Sequence, residues 1–123
     1  MQNKGQHATL DAYLATYPGC ATIMALCVQA IAASGMRVVS KLHEQFEPQG
    51  VTAVWILAES HFTLHTYPEH NYISVDCYTC GNEGNPVSAI AALRARLGKH
   101  TGQVRSFSRG ALPEGLNISH AGR

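Results

Sequence analysis

The pattern of apolar and polar residues is clearest in the middle of the chain. Residues 51–57 form an almost continuous apolar run, which is typical of a buried strand. Behind it, Phe62 and Leu64 alternate with polar residues, and this period of two predicts a second strand close behind the first. The bond between Glu59 and Ser60 lies at the junction of the two predicted strands, an unusual place for polar groups.

The segments before and after these strands share one pattern, in which a strand, a helix and a strand follow one another. Apolar positions recur at intervals of three and four residues in 20–33 and 87–97, which predicts two amphipathic helices. Further strands are predicted over residues 7–14, 36–43, 72–78 and 103–108. The sequence therefore predicts an α+β fold, a two-layer sandwich in which an antiparallel sheet carries both helices on one face.

The composition fits one domain, spanning residues 1–123, with a hydrophobic core. Hydrophobic residues make up 46% of the chain and charged residues only 14%, which argues against a disordered protein. Nine Lys and Arg residues balance eight Asp and Glu residues without forming a basic patch, so nucleic acid is not an expected partner. The sequence has neither a signal-peptide pattern nor an apolar segment of bilayer length, and we expect a cytoplasmic protein that does not bind membranes.

The second face of the predicted sheet also carries apolar residues. Trp55 and Ile56 are adjacent, so their side chains point to opposite sides of a strand. An apolar sheet face that is left open to water marks an interaction surface. A homodimer would cover this face, and we therefore expect one.

The cysteines allow a second interpretation of the chain. They are Cys20, Cys27, Cys77 and Cys80. Without a secretion signal we expect no disulfides, but Cys77 and Cys80 have the C-x-x-C spacing of redox and zinc sites. Three histidines that could complete a metal site lie nearby: His61, His65 and His70. Residues three apart on a strand face opposite sides, so we expect no metal, and a zinc or redox protein remains an alternative.

Three short stretches contain most of the candidate chemistry. They are Glu59-Ser60-His61, residues 65–69 (His-Thr-Tyr-Pro-Glu) and residues 76–81 (Asp-Cys-Tyr-Thr-Cys-Gly). With these motifs the chain resembles, from position 5 to 110, the short prokaryotic S-adenosylmethionine decarboxylases. These are pyruvoyl enzymes that cleave their own backbone between a Glu and a Ser. The resemblance implies processed chains 1–59 and 60–123, paired in a homodimer, and a role in polyamine (spermidine) biosynthesis.

For the cleavage, the resemblance implies that the Ser60 hydroxyl attacks the Glu59 carbonyl and converts the peptide into an ester. β-Elimination and hydrolysis then leave a pyruvoyl group at position 60 with loss of ammonia. The resemblance assigns assistance in this processing to His65, and Thr52 fits a position that hydrogen-bonds the oxyanion or ester. By strand parity His65 does not share the face of Ser60, unless Ser60 lies at the bend before the strand.

For the decarboxylation, the resemblance implies that the pyruvoyl ketone forms a Schiff base with the substrate amine and accepts the electrons released as CO2 leaves. It assigns the return of a proton to Cys80, and a thiol with a pKa near ~8.5 is a usable acid at neutral pH. Asp76, Tyr78 and Cys80 lie on one face of the predicted strand, so Cys80 is expected in polar surroundings.

For the substrate, the resemblance implies that Phe46 and Tyr67 stack on adenine and that Glu69 binds the ribose. The chain departs from the common family pattern at three positions: it has Tyr67 where Trp is frequent, Gln6 where Arg is frequent and Asn71 where Gly is frequent. A related pyruvoyl enzyme that decarboxylates another small cationic amino acid, ornithine or arginine, therefore stays an alternative. The presence of both Phe46 and Glu69 favours S-adenosylmethionine. A further alternative is a non-enzymatic binding subunit that is never cleaved and keeps Ser60 intact.

Overall fold

The computed structural model describes residues 4–80 and 84–111. In these residues a single sheet is formed by β1 (Gly5–Leu14), β2 (Val38–Gln45), β3 (Val51–Leu57), β4 (Ser60–Tyr67), β5 (Tyr72–Cys80) and β6 (His100–Arg109). The helices are α1 (Cys20–Ala33) and α2 (Pro86–Arg94), with one 3-10 turn at Pro68–His70. The strand order is β2-β3-β4-β5-β1-β6 and every neighbouring pair is antiparallel. The predicted α+β fold is confirmed.

Both helices cover the same face of the sheet. Strands β3, β4 and β5, and β1 from His7 onward, alternate between buried and less buried residues, and their buried side chains face the helices. Trp55 of β3 and Phe62 of β4 meet edge to face in this core, with ring centroids 5.9 Å apart. Helix α1 contributes Ile23, Cys27, Ala30 and Ile31. Across residues 4–80 and 84–111, no helix is long and apolar enough to cross a membrane.

The opposite sheet face, here called the open face, is not covered by any element among the described residues. Its apolar side chains are strongly exposed, with relative exposures of 76% for Leu42, 46% for Ile56 and 46% for Phe107. Polar and aromatic side chains of β1, β4 and β5 fill the area between them. The sequence prediction that Trp55 and Ile56 lie on opposite faces is confirmed, since Trp55 is buried.

Several element boundaries differ from the predicted ones. β2 begins at Val38 rather than position 36, because the backbone N–H of Met36 still donates to the Ile31 carbonyl at the end of α1. α2 begins at Pro86, with the Asn85 side chain accepting from the Val87 N–H, as expected at a helix start. It ends at Arg94 rather than position 97, since the next residues form tighter i to i+3 hydrogen bonds.

Candidate active site

The predicted cleavage bond lies in a two-residue hairpin turn. Leu57 of β3 pairs with Ser60 of β4, so only Ala58 and Glu59 connect the two strands. Glu59 has a φ of 60°, in the left-handed region, where a side chain collides with its own backbone. This conformation costs roughly 1–2 kcal/mol for a residue other than glycine. The backbone strain therefore lies at the residue whose carbonyl forms the predicted cleavage bond.

The Ser60 hydroxyl is enclosed beside this turn. Ser60 is 8% exposed and lies on the same side of β4 as Phe62, facing the helices. Its Oγ has no hydrogen-bond partner among the described residues. Leaving such a group unpaired costs about 1–3 kcal/mol, and buried unpaired groups are rare in folded proteins. Thr79, which is fully buried, lies opposite Ser60 one step beyond the His61–Tyr78 pair.

A second cluster of predicted residues lies at the other end of β4. A cavity of about 240 Å³ is lined there by Phe46, Thr52, His65, Tyr67 and Glu69, together with Gln49, Gly50, Val51 and Thr66. Thr52 Oγ1 and His65 Nδ1 lie 3.0 Å apart and form a hydrogen bond across β3 and β4. We call this set of five predicted residues the adenine-side cluster.

Ser60 and the adenine-side cluster are well separated within one chain. His65 lies five residues after Ser60 on β4, a span of roughly 17 Å at ~3.4 Å per residue. They also lie on opposite faces, since Ser60 is on the buried side and His65 on the open side. Because Ser60 is the first residue of β4 rather than part of the bend, strand parity applies to it. His65 therefore does not contact Ser60 in the same chain.

The loop before β3 is held against the cavity by Thr66, a residue that the sequence analysis missed. The N–H of Phe46 donates to the Gly50 carbonyl at 2.8 Å and closes the loop. Gly50 has a φ of 100°, and a Cβ there would lie 3.2 Å from the Thr66 carbonyl oxygen. The Val51 N–H donates to Thr66 Oγ1 at 2.9 Å. The available signal was a threonine on the buried side of β4, where an unpaired hydroxyl is disfavoured.

A short row of tyrosines supports the Tyr67 side of the cavity. The Tyr67 ring centroid lies 5.4 Å from that of Tyr72, which lies 4.8 Å from that of Tyr13. The Tyr72 hydroxyl donates to Asp11 Oδ1 at 2.6 Å, and this hydrogen bond raises the pKa of Tyr72. Asn71, where the family frequently has Gly, adopts a φ of 52°, a conformation that Asn tolerates better than most residues.

The two cysteines of the C-x-x-C pair lie on opposite faces of β5, as strand parity predicted. Cys77 is buried among core residues, and burial raises its pKa to about 12. Cys80 is half-buried and lies on the open face, on the same side as Asp76 and Tyr78. No group of three or more metal-binding side chains occurs in 4–80 and 84–111. Cys80 lies at the end of β5 that adjoins Glu59, so the structure brings Glu59, Ser60 and Cys80 to the same end of the sheet, with Ser60 on the buried side and Cys80 on the open side.

A larger cavity lies elsewhere. It is a groove of about 670 Å³ between α1 and the edge strand β2, lined among others by Cys20, Met24, Lys41, His43 and Trp55. None of the predicted site residues lines it. There Cys20 Sγ forms a hydrogen bond of 3.1 Å with the Tyr17 hydroxyl. The candidate chemistry therefore belongs to the two smaller regions on β3, β4 and β5.

The sequence of the chain is similar to those of known proteins. The family model described as S-adenosylmethionine decarboxylase matches residues 6–110. The S-adenosylmethionine decarboxylase proenzyme of Symbiobacterium thermophilum is 38% identical over 110 residues, which cover 87% of this chain and 83% of that protein. The proenzyme of the same name from Prochlorococcus marinus is 35% identical over 108 residues, covering 85% of this chain and 86% of that protein.

A solved structure shows the same fold. The crystal structure of the adenosylmethionine decarboxylase from Aquifex aeolicus superimposes with a TM-score of 0.79 and 29% sequence identity. The superposition covers 96% of this chain and 100% of that one. With the family model matched over residues 6–110 and relatives 35–38% identical over more than four fifths of the chain, the chain belongs to the S-adenosylmethionine decarboxylase family.

Proposed function

We propose that this chain is a proenzyme that cleaves itself between Glu59 and Ser60 and then decarboxylates S-adenosylmethionine. The product would be the aminopropyl donor for polyamine (spermidine) synthesis. The observation that carries the proposal is the pairing of a strained Glu59 with the enclosed hydroxyl of Ser60, which has no hydrogen-bond partner within residues 4–80 and 84–111. The similar proteins named proenzymes support the same activity. We place the enzyme in the cytoplasm, in keeping with its four free cysteines.

The cleavage uses only groups of this chain and water. The Ser60 hydroxyl oxygen attacks the Glu59 carbonyl carbon, the amide nitrogen receives the hydroxyl proton, and the peptide bond becomes an ester. Removal of the Ser60 Cα proton then expels the Glu59 carboxylate and leaves a carbon–carbon double bond at position 60. Water replaces the nitrogen, which leaves as ammonia, so position 60 becomes a pyruvoyl group at the start of the chain 60–123. The left-handed backbone of Glu59 fits the first step of this reaction, and so does the Ser60 hydroxyl, which forms no hydrogen bond with the part of the chain that the structure describes.

The residues of the chain suit the proposed decarboxylation. When formed, the pyruvoyl group supplies an electron-accepting carbonyl for the departure of CO2. Cys80 lies beside the end of β4 that would carry it, and its thiol is suited to return a proton to the substrate carbon. Thr52 and His65 are already hydrogen-bonded to each other, which orients the imidazole for proton transfer during processing.

The separation of the two regions supports a site built from two chains. We propose a homodimer of processed chain pairs in which the open faces meet. The adenine-side cluster of one chain would then complete the Ser60 and Cys80 region of the other. The strongly exposed Leu42, Ile56 and Phe107 on the open face are the apolar contacts that such a dimer would bury.

The adenine-side cluster favours S-adenosylmethionine over ornithine or arginine. The cavity of about 240 Å³ presents two aromatic faces, Phe46 and Tyr67, and the carboxylate of Glu69. Aromatic faces suit both a flat purine and a sulfonium cation, and a carboxylate suits the two ribose hydroxyls. Ornithine and arginine carry no ring that would use both aromatic faces. We therefore expect turnover of S-adenosylmethionine and none of the two amino acids.

Mixed dimers test the substrate and the two-chain site together. Chains with Ser60→Ala keep an intact adenine-side cluster, and chains with Glu69→Gln keep an intact cleavage site. Purified as heterodimers with two different tags, they should recover about half of the wild-type rate with S-adenosylmethionine, because one of the two shared sites is complete. Each homodimeric variant serves as the control. A heterodimer no more active than the Glu69→Gln homodimer would contradict the two-chain site.

A further inference from the structure

Asp76 is the centre of a polar cluster on the open face. Its Oδ1 accepts a hydrogen bond from Thr63 Oγ1, and its Oδ2 lies 3.0 Å from His7 Nε2 and 3.4 Å from His61 Nε2. We call these four residues the Asp76 hub. They come from β1, β4 and β5, so the carboxylate ties three neighbouring strands together.

The hydrogen-bond partners of His7 indicate the tautomer of its ring. Arg109 Nη1 lies 3.1 Å from His7 Nδ1, and a guanidinium only donates hydrogen bonds. His7 Nδ1 therefore accepts, and the ring proton lies on Nε2, pointed at Asp76. The Phe107 ring stacks on the imidazole with centroids 5.1 Å apart. The hub is thus extended to β6 and held in one arrangement.

His61 connects the hub to the proposed cleavage site. It is the residue directly after Ser60, and its ring stacks on Tyr78 with centroids 5.8 Å apart and planes at 22°. After cleavage, the group formed from Ser60 would be bonded to the His61 nitrogen, and the turn through Glu59 would no longer hold it. New chain ends fray unless they are tied down. His61 is the first side chain available to tie down this end, through Asp76 and Tyr78.

We propose that His61 is a positioning residue, through which Asp76 and Tyr78 hold the new start of the chain 60–123 in place for catalysis. The inference rests on the proposed self-cleavage. In the intact chain the two-residue turn between β3 and β4 already fixes Ser60. Loss of the hub should therefore affect the processed enzyme more than the cleavage that produces it. Displacing a reacting group by about 1 Å can lower the rate up to about a hundredfold.

Three variants and a control separate the contacts. His61→Phe keeps a ring for Tyr78 but loses the contact with Asp76, His61→Ala loses both, and Asp76→Asn removes the charge at the centre of the hub. His43→Ala is the matched control, because His43 lies on β2 on the helix side of the sheet. For each protein, intact mass gives the cleaved fraction, and steady-state kinetics with S-adenosylmethionine give kcat and KM. Hydrogen exchange reports on the 61–64 amides, and sedimentation velocity gives the fraction of dimer.

The expected result is specific to the processed enzyme. His61→Ala should cleave to the wild-type extent, form the dimer and keep KM within about twofold, while kcat falls about tenfold or more. Its 61–64 amides should exchange faster than in wild type after cleavage, but not in an uncleavable Ser60→Ala background. His61→Phe and Asp76→Asn should lie between His61→Ala and wild type, and His43→Ala should match wild type.

Other outcomes would overturn the proposal. A cleaved His61→Ala enzyme with wild-type kcat and exchange would show that the hub does not position the chain start, and a kcat loss explained by dissociated chains would show the same. In both cases the wild-type protein still cleaves and turns over S-adenosylmethionine, so the proposed function stands. A wild-type chain that never cleaves would overturn the proposed function and this inference with it.

Discussion

Replacing Glu59 with glycine would relieve the backbone strain at the proposed cleavage bond. Glu59 has a φ of 60°, which costs a non-glycine residue roughly 1–2 kcal/mol. Glycine adopts this φ freely but makes the unfolded chain more flexible, which lowers stability by about 0.4–1 kcal/mol. The difference predicts that Glu59→Gly raises the free energy of unfolding by about 0.5–1 kcal/mol. Glu59→Ala keeps a Cβ and the strain, so it should stay within about 0.5 kcal/mol of wild type.

The same substitution should slow self-cleavage. If the strain is released as the Ser60 oxygen attacks, removing about 1 kcal/mol of it raises the barrier by that amount, which is about fivefold in rate. Stability is best measured by urea unfolding in the uncleavable Ser60→Ala background, where the chain stays intact. Cleavage is measured separately with Ser60 present, as the rate at which the full-length mass disappears. Glu59→Ala controls for loss of the carboxylate in both assays.

Two results would refute this reasoning. If Glu59→Gly and Glu59→Ala have equal unfolding free energies, the left-handed turn is not strained in solution. If the glycine variant is more stable but cleaves as fast as the alanine variant, the strain exists but does not assist the reaction.

Two further predictions concern buried groups outside the cleavage site. Thr66→Val should destabilise the protein by about 1–3 kcal/mol, because the buried Val51 N–H loses its acceptor, and it should raise KM because the 46–50 loop is held less firmly. Urea unfolding measures the stability and steady-state kinetics measure KM, with Thr66→Ser, which keeps the hydroxyl, as the control. Burial raises the thiol pKa of Cys27 and of Cys77 from 9.0 to about 12, so the folded protein holds these protons to higher pH than the unfolded chain. The contribution of these two thiols to the unfolding free energy should therefore be constant below pH 9 and fall as pH rises from 9 towards 12. In urea unfolding, Cys27→Ala should lose less stability over this pH range than wild type; an equal loss would contradict the assignment.

The central strands were predictable because one of their faces is buried. Strands β3, β4 and β5 pack between the core and the open face, so their side chains alternate and the period of two is visible in the sequence. β6 is an edge strand with nearly all of its residues exposed, and its predicted start at position 103 was three residues late. Because neither face of β6 is buried, its sequence lacks the alternation of apolar and polar residues that identifies a strand.

The sequence suggested candidate site residues, but it did not determine how they are arranged. The sequence left open whether Ser60 lies at the bend or on the strand, because that depends on a hairpin turn of only two residues. Because Ser60 lies on the strand and not at the bend, it faces away from the adenine-side cluster. The Asp76 hub was invisible because its contacts join residues far apart in sequence, such as His7 and Asp76, 69 positions apart. Only the pairing of β1 with β5 brings them together.

The central claim is tested most directly by the intact mass of the purified protein under denaturing conditions. The account predicts two fragments that part between Glu59 and Ser60, with the second lighter than a serine start would give by the conversion of serine to pyruvoyl. Ser60→Ala should give one full-length mass and a folded, inactive chain. A wild-type protein that remains full-length after prolonged incubation would contradict self-cleavage and favour an uncleaved binding subunit.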